Sequence, residues 1–249
     1  MTRDDFAGLH DPTAPLVLYN VWDAGSAMAV AEAGARALAT GSLSVAGAQG
    51  YEDGEELPFE CLLRTTAQIA RRVDLPLTVD VETGYGDTAA DVEDNARAVR
   101  EAGAVGCNLE DRIIATSALR DTAEQCERIA AARAAGLFVN ARTDLFLGPL
   151  MAGEDPNRTE LVDPAIDRAA AYRDAGADGF FVPGLSDPAL LERLCKAVAL
   201  PVNTMQLDGM GSAAELGRLG VARISYGPAP WRAAMAGVTR TAEELYAAA

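Results

Sequence analysis

Histidine is almost missing from this chain of 249 residues: there is one, His10, and it stands outside every motif described below. Imidazole-based catalytic triads and histidine-rich metal sites are thereby excluded. The four cysteines, Cys61, Cys107, Cys126 and Cys195, are scattered and form no CxxC. That argues against a disulfide scaffold or a zinc site and for free thiols in a cytoplasmic protein. Basic residues are in deficit, 21 Lys+Arg against 37 Asp+Glu, for a formal net charge of −16 with no basic run. Such a surface repels nucleic acid and anionic membranes, so neither is an expected partner. No apolar stretch approaches the ~20 residues of a membrane span. Residues 1–15 are polar and lack the apolar core of a signal peptide. A hydrophobic share of 49% excludes a disordered chain.

What is present is a repeat. An Ala/Arg-rich helical segment, a glycine that can end it and a short apolar strand recur at Glu32-Ala33-Gly34, Glu101-Ala102-Gly103, Asp174-Ala175-Gly176 and Arg218-Leu219-Gly220. Pro76 and Pro201 mark two further helix-to-strand joints. Strand candidates fall near 16–20, 37–42, 76–82, 105–110, 137–142, 179–183, 201–205 and 222–227, most of them separated by helix-sized segments. Strict alternation implies a parallel sheet with right-handed crossovers. Eight units imply an α/β fold closed as a (β/α)8 TIM barrel, read as a single domain over 1–249. A doubly wound open sheet is the alternative, but no GxGxxG follows the first strand.

In such a barrel the active site lies where strands end at their C-terminal side. Alternation along strand 3 turns Asp80 and Glu82 to one side and Val79 and Val81 to the other, and valines suit the helix-facing side. The same parity turns Asn108 and Glu110 of strand 4 inward and sends Cys107 and Leu109 against the helices. Three carboxylates converging from adjacent strands repel unless a cation or proton separates them. Hard oxygen ligands favour Mg²⁺, with Mn²⁺ possible, over zinc. Acidic residues that merely solvate the rim are the bland reading. Arg142 on strand 5 points inward, either as a counter-ion or as a bidentate grip on a substrate carboxylate. Small residues at Gly41 and Ser42 let backbone amides approach a substrate oxygen. Asp53, in Tyr51-Glu52-Asp53-Gly54, is either a positioned carboxylate or an ordinary turn residue. Asn203, Met205 and residues 225–227 end strands 7 and 8 and can line the pocket. His10 is expected in a mobile N-terminal arm, and residues 124–133 on a solvated helix face.

Taken together, the acid-x-acid-Thr-Gly-Tyr-Gly run at 80–86, Leu109-Glu110-Asp111 and Ala141-Arg142 resemble the phosphoenolpyruvate mutase/isocitrate lyase superfamily across nearly the whole chain. The resemblance implies that Asp80, Glu82 and Glu110 hold Mg²⁺, partly through water. It also implies that Gly41 and Ser42 supply substrate-binding amides, that Asp53 is the catalytic loop aspartate and that Arg142 binds substrate. It implies an enzyme that passes through an enolate of a small 2-oxo or 2-hydroxy carboxylate, and a homo-oligomer, dimer or tetramer, with a swapped C-terminal helix drawn from 231–249. The chain departs from the family where Glu82 replaces the usual Asp. Residues 112–120 carry neither the Cys and His of the isocitrate lyase branches nor the Lys and Asn of the mutase and phosphonopyruvate hydrolase branches. Pro183 stands where some mutases have a histidine. A lyase acting on a C–C bond, or a decarboxylase, is the first expectation. C–P chemistry and a non-catalytic carboxylate-binding barrel are the alternatives.

Overall fold

The predicted alternation is realised as eight parallel strands in a computed structural model that describes residues 2–248. They are β1 (Leu16–Leu18), β2 (Leu38–Ala39), β3 (Leu77–Asp80), β4 (Gly106–Glu110), β5 (Phe138–Arg142), β6 (Gly179–Phe181), β7 (Val202–Met205) and β8 (Val221–Ser225). Their hydrogen-bonded order is β1-β8-β7-β6-β5-β4-β3-β2. The two remaining edges meet just past β1 and β2. There the Val21 amide donates to the Ala39 carbonyl at 2.8 Å beside a parallel Val21–Thr40 bridge. The result is a (β/α)8 barrel.

The glycine joints act as expected: Gly34, Gly103, Gly176 and Gly220 take φ of +95°, +113°, +101° and +102°, ending one helix so that the next strand can start. Strand parity also holds. Val79, Val81, Cys107 and Leu109 are buried between barrel and helices, while Asn108, Glu110 and Asn140 face the interior. The second strand is shorter than predicted, because Ser42 opens a short helix, Ser42–Gly47, where a loop was expected.

The N-terminal arm is the largest correction. Residues Arg3–Ala7 form a helix with a Thr2–Asp5 capping box, and Phe6 is fully buried with Leu16, Leu18, Ala37, Ala39 and Phe138. His10 stacks on Phe138 with ring centroids 4.6 Å apart. An arm read as mobile is instead the plug at the N-terminal end of the barrel. Its polar residues face out while its few apolar groups find partners far along the chain. At the other terminus the helix Ala229–Ala247 buries only Pro230 and leaves Met235, Val238, Leu245 and Tyr246 exposed.

Candidate active site

The turn after β3 is the best-anchored part of the C-terminal face. Gly84 has φ +107° and lies where a Cβ would come within 2.9 Å of Val92. At Gly86 a Cβ would meet that of Asp91 at 2.4 Å. No other residue fits either place, which is the physical content of the Thr-Gly-Tyr-Gly run. Arg128, from the helix Thr122–Ala134, donates to the carbonyls of Thr83 and Gly86, both at 2.7 Å, and Asn95 donates to those of Gly84 and Tyr85. Arg128 is 1% exposed, so the helix face read as solvated contributes a buried pin. Its contribution came from a tertiary contact that helical spacing does not encode.

Above this turn opens a cavity of about 580 Å³. Gly41, Ser42, Asp53, Asp80, Glu82, Glu110 and Arg142 all line it. Asp80 is the last residue of β3, held where Thr40 Oγ1 accepts from its amide at 2.9 Å. In the strand ladder Glu110 is the register partner of Arg142, and Arg142 Nη1 reaches Glu110 Oε2 at 2.8 Å. Asp144 takes the rest of the guanidinium, accepting from Nε at 2.6 Å and Nη2 at 2.9 Å. Burial raises the Asp80 and Glu110 carboxyls above their usual range, and the nearby Arg142 charge opposes that shift in both. The same carboxylates, Asp144 first, hold Arg142 firmly protonated against burial.

Glu82 reaches the site by a route that strand parity does not describe. The strand has ended at Asp80, and Glu82 sits at φ +50°. Its carboxylate accepts from the amide of Gly54 at 2.8 Å and that of Glu55 at 3.0 Å. Burial, then the neighbouring Asp53 and Asp80, push its pKa up to about 8. Glu82 thus shares the cavity with Asp80 and Glu110 while its carboxylate is engaged by the two loop amides. Among the described residues no three of His, Cys, Asp and Glu stand close enough to hold a metal ion.

Asn203 points inward as expected but sits a layer too deep and is absent from the cavity wall. Its Oδ1 accepts from Asn140 at 2.9 Å, and Asn140 also donates to Asn108 at 2.8 Å. Arg223 of β8, fully buried, donates to Asn108 at 3.0 Å. Burial pulls its pKa down to about 9, with Asp80 opposing. Met205, Ser225, Tyr226 and Gly227 do line the cavity, as does Pro183. Asp111 of the Leu-Glu-Asp motif faces away, accepting from Tyr172 at 2.8 Å and from the Asp144 amide at 2.9 Å.

Sequence reasoning passed over Asp144, Arg223 and Glu55, and took Asn20 only as part of the strand-1 end, residues 19–23, that could shape the pocket floor. Parity could have found the first two, each being two residues from an inward position. Asn20, whose side chain bonds the Thr40 carbonyl at 2.9 Å and the Tyr226 amide at 2.9 Å, joins three strand ends that only the closed barrel brings together. One wall of the cavity is apolar, formed by Ile114, Leu147, Leu150, Met151, Phe181 and Leu207. No Lys, Cys or His appears among the lining residues.

Comparison with known proteins places this geometry. The phosphoenolpyruvate phosphomutase family profile matches residues 6–246. A Burkholderia cenocepacia J2315 protein, provisionally described as a phosphonomutase, superposes with a TM-score of 0.92 at 47% identity, covering 97% of this chain and 99% of its own. A Mycobacterium tuberculosis H37Rv protein of uncharacterised function is 35% identical over 232 residues, 92% of this chain and 84% of its own. The 2-methylisocitrate lyase of Escherichia coli K12 is 30% identical over 196 residues, 76% of this chain and 64% of its own.

Proposed function

Because the chain belongs to the phosphoenolpyruvate mutase/isocitrate lyase superfamily, we propose that it is a Mg²⁺-dependent lyase, breaking a C–C bond in a small 2-oxo or 2-hydroxy carboxylate by way of an enolate. Superfamily membership supports an enzyme; the reaction is our reading. The observation that carries it is the pairing of an acid-binding floor, Asp80, Glu110 and Arg142, with an apolar wall in one cavity. A hydrocarbon substituent at C3 suits that wall. A phosphonate dianion does not.

Asp80 and Glu110 fit a magnesium ion. Both offer buried oxygen donors with Arg142 as their counter-charge, and this ion keeps several waters and needs only one or two carboxylates. Mn²⁺ suits the same donors. Bound there, the ion supplies Lewis acidity toward the substrate carboxylate and 2-oxygen. Arg142, aimed by Asp144, orients the substrate carboxylate. Gly41 and Ser42 bring backbone amides to the developing negative charge. Asp53, exposed at the cavity mouth, moves a proton to or from C3 or orients a water. Ile114, Leu150 and Met151 exclude water from the breaking bond.

We place the protein in the cytoplasm on its free cysteines. Among the described residues no helix is long and apolar enough to cross a membrane. The uncovered apolar face of Ala229–Ala247 supports its exchange between neighbouring barrels in a homo-oligomer, which light scattering after gel filtration would read. Function is tested by proton NMR of the purified protein with Mg²⁺ against oxaloacetate, phosphonopyruvate, 2-alkylmalates and methylisocitrate-type acids, with EDTA controls. EDTA-sensitive release of a 2-oxo acid without phosphate supports the lyase. Phosphate release would move the assignment to C–P hydrolysis, and tight binding without turnover to a binding barrel.

A further inference from the structure

Among the described residues, three of the four non-glycine residues with left-handed backbone, Glu55 (φ +60°), Glu82 (φ +50°) and Tyr85 (φ +54°), lie at one junction, where residues 53–55 meet residues 82–85. Left-handed backbone is strained for a residue that carries a side chain, so strain concentrated in one place needs compensating contacts. The contacts are reciprocal. The consecutive amides of Gly54 and Glu55 converge on the Glu82 carboxylate, at 2.8 and 3.0 Å, as an anion-binding concavity of backbone N–H groups. In return, the Glu55 carboxylate accepts from the Thr83 amide at 3.0 Å, the Thr83 hydroxyl at 2.7 Å and the Tyr85 amide at 3.0 Å. The Tyr85 hydroxyl closes the ring on Glu82 at 3.3 Å.

The two sides of this junction differ in freedom. Residues 83–86 are pinned from behind by Arg128 and Asn95. Residues 48–56 bridge two helices over the open cavity, and Asp53 immediately precedes the clamped amides. We propose that Glu55 and Glu82 are positioning residues that clamp the Asp53 loop onto the rigid turn after β3, Glu82 serving the loop rather than a metal ion. This rests on Asp53 as the proton-handling group. It also gives the extra methylene at 82 a purpose: an aspartate there would fall short by about 1.5 Å on standard bond lengths and leave both loop amides without their acceptor.

The test follows the intact protein with Mn²⁺ as probe, comparing Glu82→Asp, Glu55→Gln, Asp80→Asn and Asp53→Asn. For Glu82→Asp and Glu55→Gln, amide exchange at Gly54 and Glu55 speeds by ~10-fold or more, as expected when a local clamp opens. In both, kcat falls by ~10–100-fold with KM within ~2-fold, the pattern of a lost transition-state contact. Their Mn²⁺ affinity stays within ~3-fold of wild type, whereas Asp80→Asn loses ~10-fold or more, because only the latter removes a ligand. The double variant Glu82→Asp/Glu55→Gln is no slower than the worse single, since both act through one clamp. If Glu82→Asp leaves the loop amides protected and changes Mn²⁺ binding as Asp80→Asn does, Glu82 is a ligand and the clamp is wrong. Loosened amides in both clamp variants, with Asp53→Asn at wild-type turnover, would keep the clamp and overturn the role given to Asp53.

Discussion

The two ends of the barrel are built by one alternation of inward residues and treat water in opposite ways. At the N-terminal end Phe6, Leu16, Leu18 and Phe138 fill the interior and His10 covers them. At the C-terminal end the inward positions are Asp80, Glu110 and Arg142 beneath an open cavity. Between them Asn108, Asn140, Asn203 and Arg223 form a hydrogen-bonded floor. One end removes apolar surface from water and stabilises the fold. The other holds carboxylates whose charged forms burial disfavours. Mutations at the two ends should therefore separate activity from stability.

The largest separation is expected at Glu110. Glu110→Ala should lower turnover by ~10³-fold or more, the scale of losing a metal or charge-stabilising group. Its melting temperature should stay close to wild type, because Asp144 keeps Arg142 paired. Wild-type turnover in that variant would remove Glu110 from the site. Phe6→Ala should do the reverse, costing about 3–4 kcal/mol in denaturant unfolding while kcat stays within ~2-fold. A large fall in kcat there would show that the two ends are coupled.

His10 sharpens the comparison through pH. Burial depresses its pKa from 6.5 to about 3, so the unfolded chain binds the extra proton between those values. Stability from this group is complete above pH 6.5 and is lost as pH falls toward 3. At pH 4.5 the loss is about 2–3 kcal/mol by linkage. His10→Phe should narrow the gap between urea midpoints at pH 4.5 and 7.5, and an unchanged gap would mean His10 does not titrate in this way. The smallest effect belongs to the exposed segment after β4, where Ser117 sits at φ +58°. There strain relief and added chain entropy offset each other, so Ser117→Gly should shift unfolding by less than ~0.5 kcal/mol.

Much of the site was readable in advance because two short-range rules suffice for it. Period-two alternation oriented Asp80, Asn108, Glu110 and Arg142, and adjacency of strands in a barrel placed Glu110 beside Arg142. Those rules fail where chain direction or depth matters. Glu82 left the strand at a left-handed residue, so its carboxylate turned to the loop. Asn203 had the right side but the wrong layer, since depth depends on how far each strand is staggered against its neighbours. Arg128 was read as surface because helix spacing reports which face a residue occupies and not what carbonyls wait opposite it.

Local sequence by itself determined the repeat, the eight strands, the glycine joints and the inward carboxylates and arginine at the strand ends. Each depends on the conformational preference of a few consecutive residues, and apolar burial favours the same choice everywhere. Tertiary structure alone decided that His10 closes the barrel, that Arg223 lies under Asp80 and that Glu55 and Glu82 hold each other's backbone. These contacts join segments far apart in the chain, and their strength comes from charges and amides desolvated together, a condition that exists only once the barrel has closed.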